Sequence, residues 1–242
     1  MLTILVGESA AGKDFIQKHL EEGGYEPLVS TTTRPMREGE VEGKNYFFVD
    51  RETFEQGIKD DKFIEHRAYN TLVNGKPDTW YYGMRKMQLD PNKQYITVVD
   101  CDGAKGLMDY FGKNNCFVVY VFAEDLTRQA RAQSRGSFDL TEWTRRLADD
   151  SIKFKDVRSI ANYVAVNQLE DKDSVNDMLY YIQYAGRVFD AHKKQRDSRY
   201  VCNLYCSEDG EVQCLVTNES PYVKELEGRI QRLHGVAKSR EE

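Results

Sequence analysis

Five short runs of apolar and β-branched residues, at positions 3–6, 28–33, 95–99, 117–122 and 163–166, are mostly separated by stretches whose apolar residues recur with helical spacing. Nearly continuous apolar strands alternating with helices are the pattern of a parallel sheet covered on both faces, because such strands have no solvent side to keep polar. Between the second and third runs lies a long interval that is polar, aromatic and rich in Gly and Asp. It exceeds what a crossover helix needs, so an inserted substrate-binding subdomain is expected there. The charged stretch 124–156 reads as two helices broken at 136–139 and carries more arginine than a solvated face requires, which suits a mobile lid. After a helical segment at 173–195, positions 200–217 alternate around turn residues at 207–210, predicting a β-hairpin, and 221–234 reads as a short charged helix.

These elements divide the chain into a main domain at 1–195 and an appendage at 196–242 made of the hairpin and the short helix. Within the main domain the core is expected from 1–29, 86–123 and 157–195, with the inserted subdomain at 30–85 and the lid at 124–156. A length of 242 residues, 40% hydrophobic and 31% charged, suits one substantial core.

The formal net charge of −6 gives no broad positive field, so nucleic acid is not an expected partner. No apolar run approaches the roughly 20 residues that span a bilayer, and Met1 leads straight into the first strand without a basic leader. A cytoplasmic protein without a membrane partner is expected. Five widely spaced cysteines make no disulfide framework. Cys202, Cys206 and Cys214 could with His234 form a zinc site, but their spacing fits no common zinc pattern and the cysteines are read as buried, inert thiols on a hairpin.

The strongest local signal is Gly7-Glu8-Ser9-Ala10-Ala11-Gly12-Lys13, directly after the first strand and before a helical stretch at 15–20. Glycines let backbone N–H groups turn around phosphate oxygens, and the helix N-terminus and the Lys13 ammonium supply positive potential. The segment is read as a cradle for a nucleoside triphosphate. Where such loops carry a Ser or Thr hydroxyl for Mg²⁺, this chain has Asp14. A carboxylate is also a hard oxygen ligand, so Asp14 is expected either to hold the metal directly or through water, or to be only a helix-start residue.

A second anion site is expected in the inserted region, where Arg34 and Arg37 stand three apart with Pro35 stiffening the path and Tyr46 following. Guanidinium forks and a phenol hydroxyl suit a small phosphate.

The run from Ser30 through Arg34, Arg37 and Tyr46 to Val49 resembles guanylate kinase. So do Phe63-Ile64-Glu65, Tyr81-Tyr82-Gly83, Val99-Asp100-Cys101-Asp102-Gly103, the arginines at 131–135, Arg145-Arg146-Leu147 and Tyr163-Val164-Ala165-Val166-Asn167. The resemblance covers about residues 3–190. It implies an α/β fold of the P-loop NTPase type, with a five-stranded parallel sheet, helices on both faces, an NMP-binding insertion and a helical lid. The implied reaction is ATP-dependent phosphorylation of GMP or dGMP with Mg²⁺.

Carried over position by position, Arg34, Arg37, Tyr46 and Tyr82 would hold the acceptor phosphate, with Ser30 close by. Glu65 would accept from guanine N1 and N2. Asp100, with Asp102 following, would lie near the metal and the acceptor, while Arg131, Arg135 and Arg146 would close over ATP and the transferred phosphoryl.

The chain departs from the family at Asp14, at Met84, where Ser or Thr usually meets the guanine oxygen, in extra sequence at 70–79, and beyond residue 195. The last segment is expected to serve packing or a homodimer contact. Met84 and the extra sequence leave open another nucleoside monophosphate or a sugar phosphate as acceptor, and Asp14 leaves open a catalytically weak module that holds a protein.

Overall fold

The computed structural model describes residues 1–73, 76–134, 136, 138–168, 172–191, 202–206 and 212–216. They form two compact units, one of residues 1–6 and 13–116, the other of residues 7–12 and the described residues from Phe117 onward.

In the first unit, β1 (Leu2–Val6) is buried at all five positions. α1 (Lys13–Glu22) buries Ile16 and Leu20, one turn apart, and leaves its polar face to solvent. Of the single strand expected at 28–33 only Thr31–Thr32 is extended in a ladder, and another short strand precedes the expected run. β2 (Glu26–Pro27) belongs to the parallel sheet and β3 (Thr31–Thr32) to a second sheet. Pro27 cannot donate to a ladder. Leu28 makes one further bond to the Ile96 carbonyl at 2.8 Å before the chain crosses over.

The second sheet has the order β4 (Phe47–Phe48), β3, β6 (Lys76–Arg85), β5 (Phe63–Val73). α2 (Arg51–Lys59) starts at Asp50, whose carboxylate accepts from the Thr53 N–H at 2.6 Å. Its Phe54 is wholly buried and stacks on Phe63 with 4.5 Å between centroids. Gly83 admits this aromatic pair, since a Cβ there would sit 2.9 Å from Phe63 and 3.0 Å from Phe54. The extra sequence at 70–79 continues the β5–β6 ladder, with Asn70 opposite Thr79 and Thr71 opposite Asp78. Asn74 and Gly75 lie outside the described residues.

β7 (Tyr95–Val98) pairs in parallel with both β1 and β2. α3 (Cys101–Phe111) follows it and buries Cys101, Ala104 and Leu107.

In the second unit, β8 (Cys116–Phe122) is apolar and buried along nearly its whole length. α4 (Asp125–Ser134) and α5 (Leu140–Lys153) are the two helices expected in the 124–156 stretch. β9 (Tyr163–Val166) pairs in parallel with β8, and Asn162 caps the edge by accepting from the Val118 N–H at 2.8 Å. α6 (Lys172–Ala191) buries Met178, Leu179, Ile182 and Ala185 along one stripe. The five-stranded parallel sheet has the order β2-β7-β1-β8-β9, in agreement with the α/β expectation.

The expected hairpin is present as β10 (Cys202–Cys206) and β11 (Val212–Val216), antiparallel with Leu204 opposite Cys214. The helix expected at 221–234 lies outside the described residues, as do His234 and the side chains of Cys202, Cys206 and Cys214. Among the described residues no helix is long and apolar enough to cross a membrane, and no cluster of three or more His, Cys, Asp or Glu side chains could hold a metal. Cys101 and Cys116 are both buried. Burial pushes the Cys116 thiol up to about 12, which keeps it protonated and inert.

Truncating Phe54 to Ala is expected to cost about 3–5 kcal/mol, because it empties the contact between α2 and the second sheet. Urea denaturation of wild type and Phe54→Ala measures this; a cost below about 1 kcal/mol would show that the stack does not hold the sheet.

Candidate nucleotide sites

The turn from Gly7 to Gly12 follows β1 and runs into α1. A Cβ on Gly7 would fall on the Val121 carbonyl oxygen, and one on Gly12 (φ 96°) would fall on the Asn167 amide nitrogen, so neither position accommodates a side chain. Ala10 sits in the left-handed region at φ 62°, a conformation that costs a residue with a Cβ about 1–2 kcal/mol.

The shape is held by bonds from the surrounding unit. The Ser9 N–H donates to Asp150 Oδ2 at 2.8 Å and the Ser9 carbonyl accepts from Arg128 Nη1 at 3.1 Å. The Ala11 carbonyl accepts from Asn167 Nδ2 at 2.8 Å and from Arg131 Nη1 at 3.3 Å. The Tyr120 hydroxyl donates to Glu8 Oε1 at 2.7 Å, and burial, followed by that bond, raises the Tyr120 phenol. Arg128 is only 4% exposed; it is paired with Asp125 at 2.7 Å and lies 5.8 Å from the centre of the Trp143 ring.

Of the arginines expected over the triphosphate, Arg131 reaches the turn through the Ala11 carbonyl. Arg146 is half exposed on α5 and donates from Nε to Glu142 Oε1 at 2.8 Å, one turn back. Arg135 lies outside the described residues. Glu142 also takes two bonds from Arg145, at 2.7 and 2.9 Å, and its own N–H is capped by Asp139. These guanidinium bonds, Arg145 first, hold the Glu142 carboxyl down at about 2.

The residues expected at the acceptor phosphate come together in the first unit. Arg34 is 4% exposed and forms a bidentate pair with Glu40, at 2.6 and 3.0 Å, while Nη1 also donates to the Pro35 carbonyl at 2.7 Å. It lies 5.4 Å from the centre of the Tyr46 ring and 5.6 Å from that of Phe48. Burial alone would lower its pKa, but the Glu40 bond and the Tyr82 hydroxyl outweigh burial and raise it. Arg37 is exposed and meets the same carboxylate through its backbone N–H, at 2.7 Å from Glu40 Oε2.

Tyr46 packs edge-on against Tyr82 at 5.8 Å, and Tyr82 against Tyr69 at 5.4 Å. Burial first, and then Tyr82, pushes the Tyr46 phenol up to about 12, against a downward pull from Arg34. Asp14 is exposed in the first turn of α1. Ser30 offers its carbonyl to the Phe47 N–H at 2.9 Å.

Glu65 and Met84 face each other across the β5–β6 ladder. Glu65 lies beneath α3, where Gly106 has no side chain; a Cβ there would be 2.9 Å from Glu65 Cβ. Burial raises the Glu65 pKa, with nearby Asp100 adding to it and Arg67 opposing it. Met84 is fully buried. Asp100 caps α3, its Oδ1 accepting from the Gly103 N–H at 2.9 Å and from Arg67 Nε at 2.8 Å, while Oδ2 accepts from the Tyr69 hydroxyl at 2.7 Å. Asp102 is exposed and lies 3.3 Å from Lys105 and 3.5 Å from Arg67.

The sequence model of the guanylate kinase family matches residues 1–185. The chain belongs to the guanylate kinase family. It is 28% identical to a guanylate kinase of Lactiplantibacillus plantarum over 170 residues, which takes in 69% of this chain and 80% of that protein. The crystal structure of guanylate kinase from Anaplasma phagocytophilum shares the fold, with a TM-score of 0.53 and 23% identity over 82% of this chain and 87% of that one.

Membership in the guanylate kinase family does not by itself point to several residues that the structure brings to these sites. Arg67 and Tyr69 join Glu65 and Asp100, and their only sequence signal is the two-residue spacing that puts 65, 67 and 69 on one strand face. Arg128, Asp150 and Tyr120 support the glycine turn from distant positions, and no local motif marks them.

Replacing Glu142 by Gln is expected to destabilise the protein at neutral pH. The folded pKa lies below the ordinary carboxylate value, so the contribution is present above about 4.5 and is lost as pH falls toward 2. Denaturation midpoints of both proteins between pH 7 and pH 2 should therefore converge on acidification. A constant difference would show that the Arg145 and Arg146 pairs contribute nothing through charge.

Proposed function

We propose that the chain transfers the terminal phosphoryl group of ATP to GMP or dGMP, giving ADP and GDP or dGDP. Family membership supports the reaction class. The observation that carries the reading lies within the first unit, where Tyr46 and Tyr82 gather beside the Arg34 guanidinium, which is 4% exposed. Such a cluster suits an acceptor phosphate, and Lys13 at the start of α1 suits the donor.

In this reading residues 30–85 receive the acceptor, 124–156 act as the lid, and 7–12 with Lys13 and Arg131 receive the donor phosphates. Arg34, Arg37, Tyr46 and Tyr82 hold the acceptor phosphate, one of whose oxygens attacks the γ-phosphorus in line as the bond to the ADP oxygen breaks. No protein nucleophile is needed. Lys13, Arg131, Arg135 and Arg146 offset the charge that spreads over the transferred group, and excluding water keeps it from acting as the acceptor.

Mg²⁺ takes phosphate oxygens, water and one or two carboxylates, not a closed protein cage, which suits a site without a cluster of acidic ligands among the described residues. The Asp100 oxygens already accept from three protein donors, so the exposed carboxylate of Asp14 is the better placed of the two to hold the ion. When bound, the ion would neutralise charge on the donor phosphates.

A coupled ADP-release assay over GMP, dGMP, AMP, UMP and CMP tests the proposal. GMP and dGMP should be the preferred acceptors. Lys13→Ala should lower kcat by roughly 10²–10³, and Asp14→Ser should change the Mg²⁺ concentration needed for half-maximal rate. Absence of acceptor-dependent ADP release would remove the kinase reading, and an unchanged Mg²⁺ requirement would remove Asp14 from the metal.

A further inference from the structure

Arg67 follows Glu65 by two positions on β5 and stands opposite Tyr82, while Glu65 stands opposite Met84, so all four belong to one face of the β5–β6 ladder. Its guanidinium is held by one short bond, Nε to Asp100 Oδ1 at 2.8 Å. Asp100 is itself fixed by the Gly103 N–H and the Tyr69 hydroxyl. Among the described residues the two Nη atoms make long contacts, Nη2 at 3.5 Å from Glu65 Oε2 and Nη1 at 3.5 Å from Asp102 Oδ2. At that separation charges attract, but a hydrogen bond is poorly made. A fixed guanidinium edge thus lies beside the Glu65 carboxylate, whose side chain is 11% exposed.

The nearby Met84 is fully buried, and a thioether has no hydrogen to donate. An acceptor on a bound base would find its donor at Arg67. Guanine carries N1–H and N2–H donors next to the O6 acceptor along one edge, which matches a carboxylate with a guanidinium at its side. Adenine has an amino donor at position 6 and would set it against the Arg67 N–H groups. We propose that Arg67 reads the 6-carbonyl oxygen of the acceptor base while Glu65 takes the N1 and N2 hydrogens. This inference rests on the assignment of a guanine nucleotide as acceptor.

The test compares GMP with 6-thio-GMP, whose sulfur is a weak hydrogen-bond acceptor, on wild type, Arg67→Gln and Arg67→Lys, with thermal melts to verify folding. Wild type should favour GMP over the thio analogue by roughly tenfold or more. Arg67→Gln should lower kcat/KM for GMP by roughly 10- to 100-fold, mostly through KM, and leave 6-thio-GMP nearly unaffected; Arg67→Lys should recover part of the loss. Equal losses for both acceptors would make Arg67 only a positioning residue for Glu65 and Asp100 and would overturn the proposal, as would an Arg67→Gln enzyme unchanged toward GMP. Wild type that does not distinguish the two acceptors overturns it without any variant. Wild type that phosphorylates neither removes the guanine-nucleotide reading itself and this inference with it.

Discussion

The turn at residues 7–12 keeps a shape that its own residues would not choose. Ala10 is left-handed and Gly12 has a positive φ. The compensation comes from outside, through Asp150, Arg128, Asn167 and Arg131, which take up the amide of Ser9 and the carbonyls of Ser9 and Ala11. Backbone strain persists only where the surroundings over-determine it, and here the surroundings are β9, α4 and α5. The buried Arg128 exists in turn only because Asp125, Asp150 and the Ser9 carbonyl receive its protons. A loop fixed in advance in this way does not lose conformational entropy when it closes on a ligand.

Much of this was legible in the chain. The apolar runs that became β1, β7, β8 and β9 lie in the buried parallel sheet, where shortness, β-branched content and flanking helical stretches mark a strand, and the glycine turn is marked by its place between strand and helix. The run at 28–33 misled because the continuity of apolar and β-branched residues cannot show where a chain leaves one sheet for another. Pro27 was the available clue, since proline is confined to edge strands, and the ladder with β7 stops one bond later at Leu28. The extra residues at 70–79 looked like a turn-rich insertion and prove, where described, to lengthen a hairpin by continuing its register.

The site residues divide in the same way. Arg34, Tyr46, Glu65 and Tyr82 stand within recognisable local motifs, and the structure gathers them in one unit. Asp150 and Arg128 act on the glycine turn from more than a hundred positions away, and only packing brings them there. Arg67 lies between these cases: its distance from Glu65 was readable, but its significance needed the Asp100 carboxylate beside it, which comes from the start of α3.

Arg34 is nearly inaccessible to water, yet it carries a full positive charge. A lone cation in such a place would push the local chain to unfold or let solvent in. Glu40 prevents this by standing as a resident counter-ion, clasped at 2.6 and 3.0 Å. Any anion that comes to Arg34 must therefore trade places with, or share the fork with, a carboxylate already seated there. The pair costs some of the attraction a bare guanidinium would exert, so under the proposed function acceptor capture at this end would be an ion exchange.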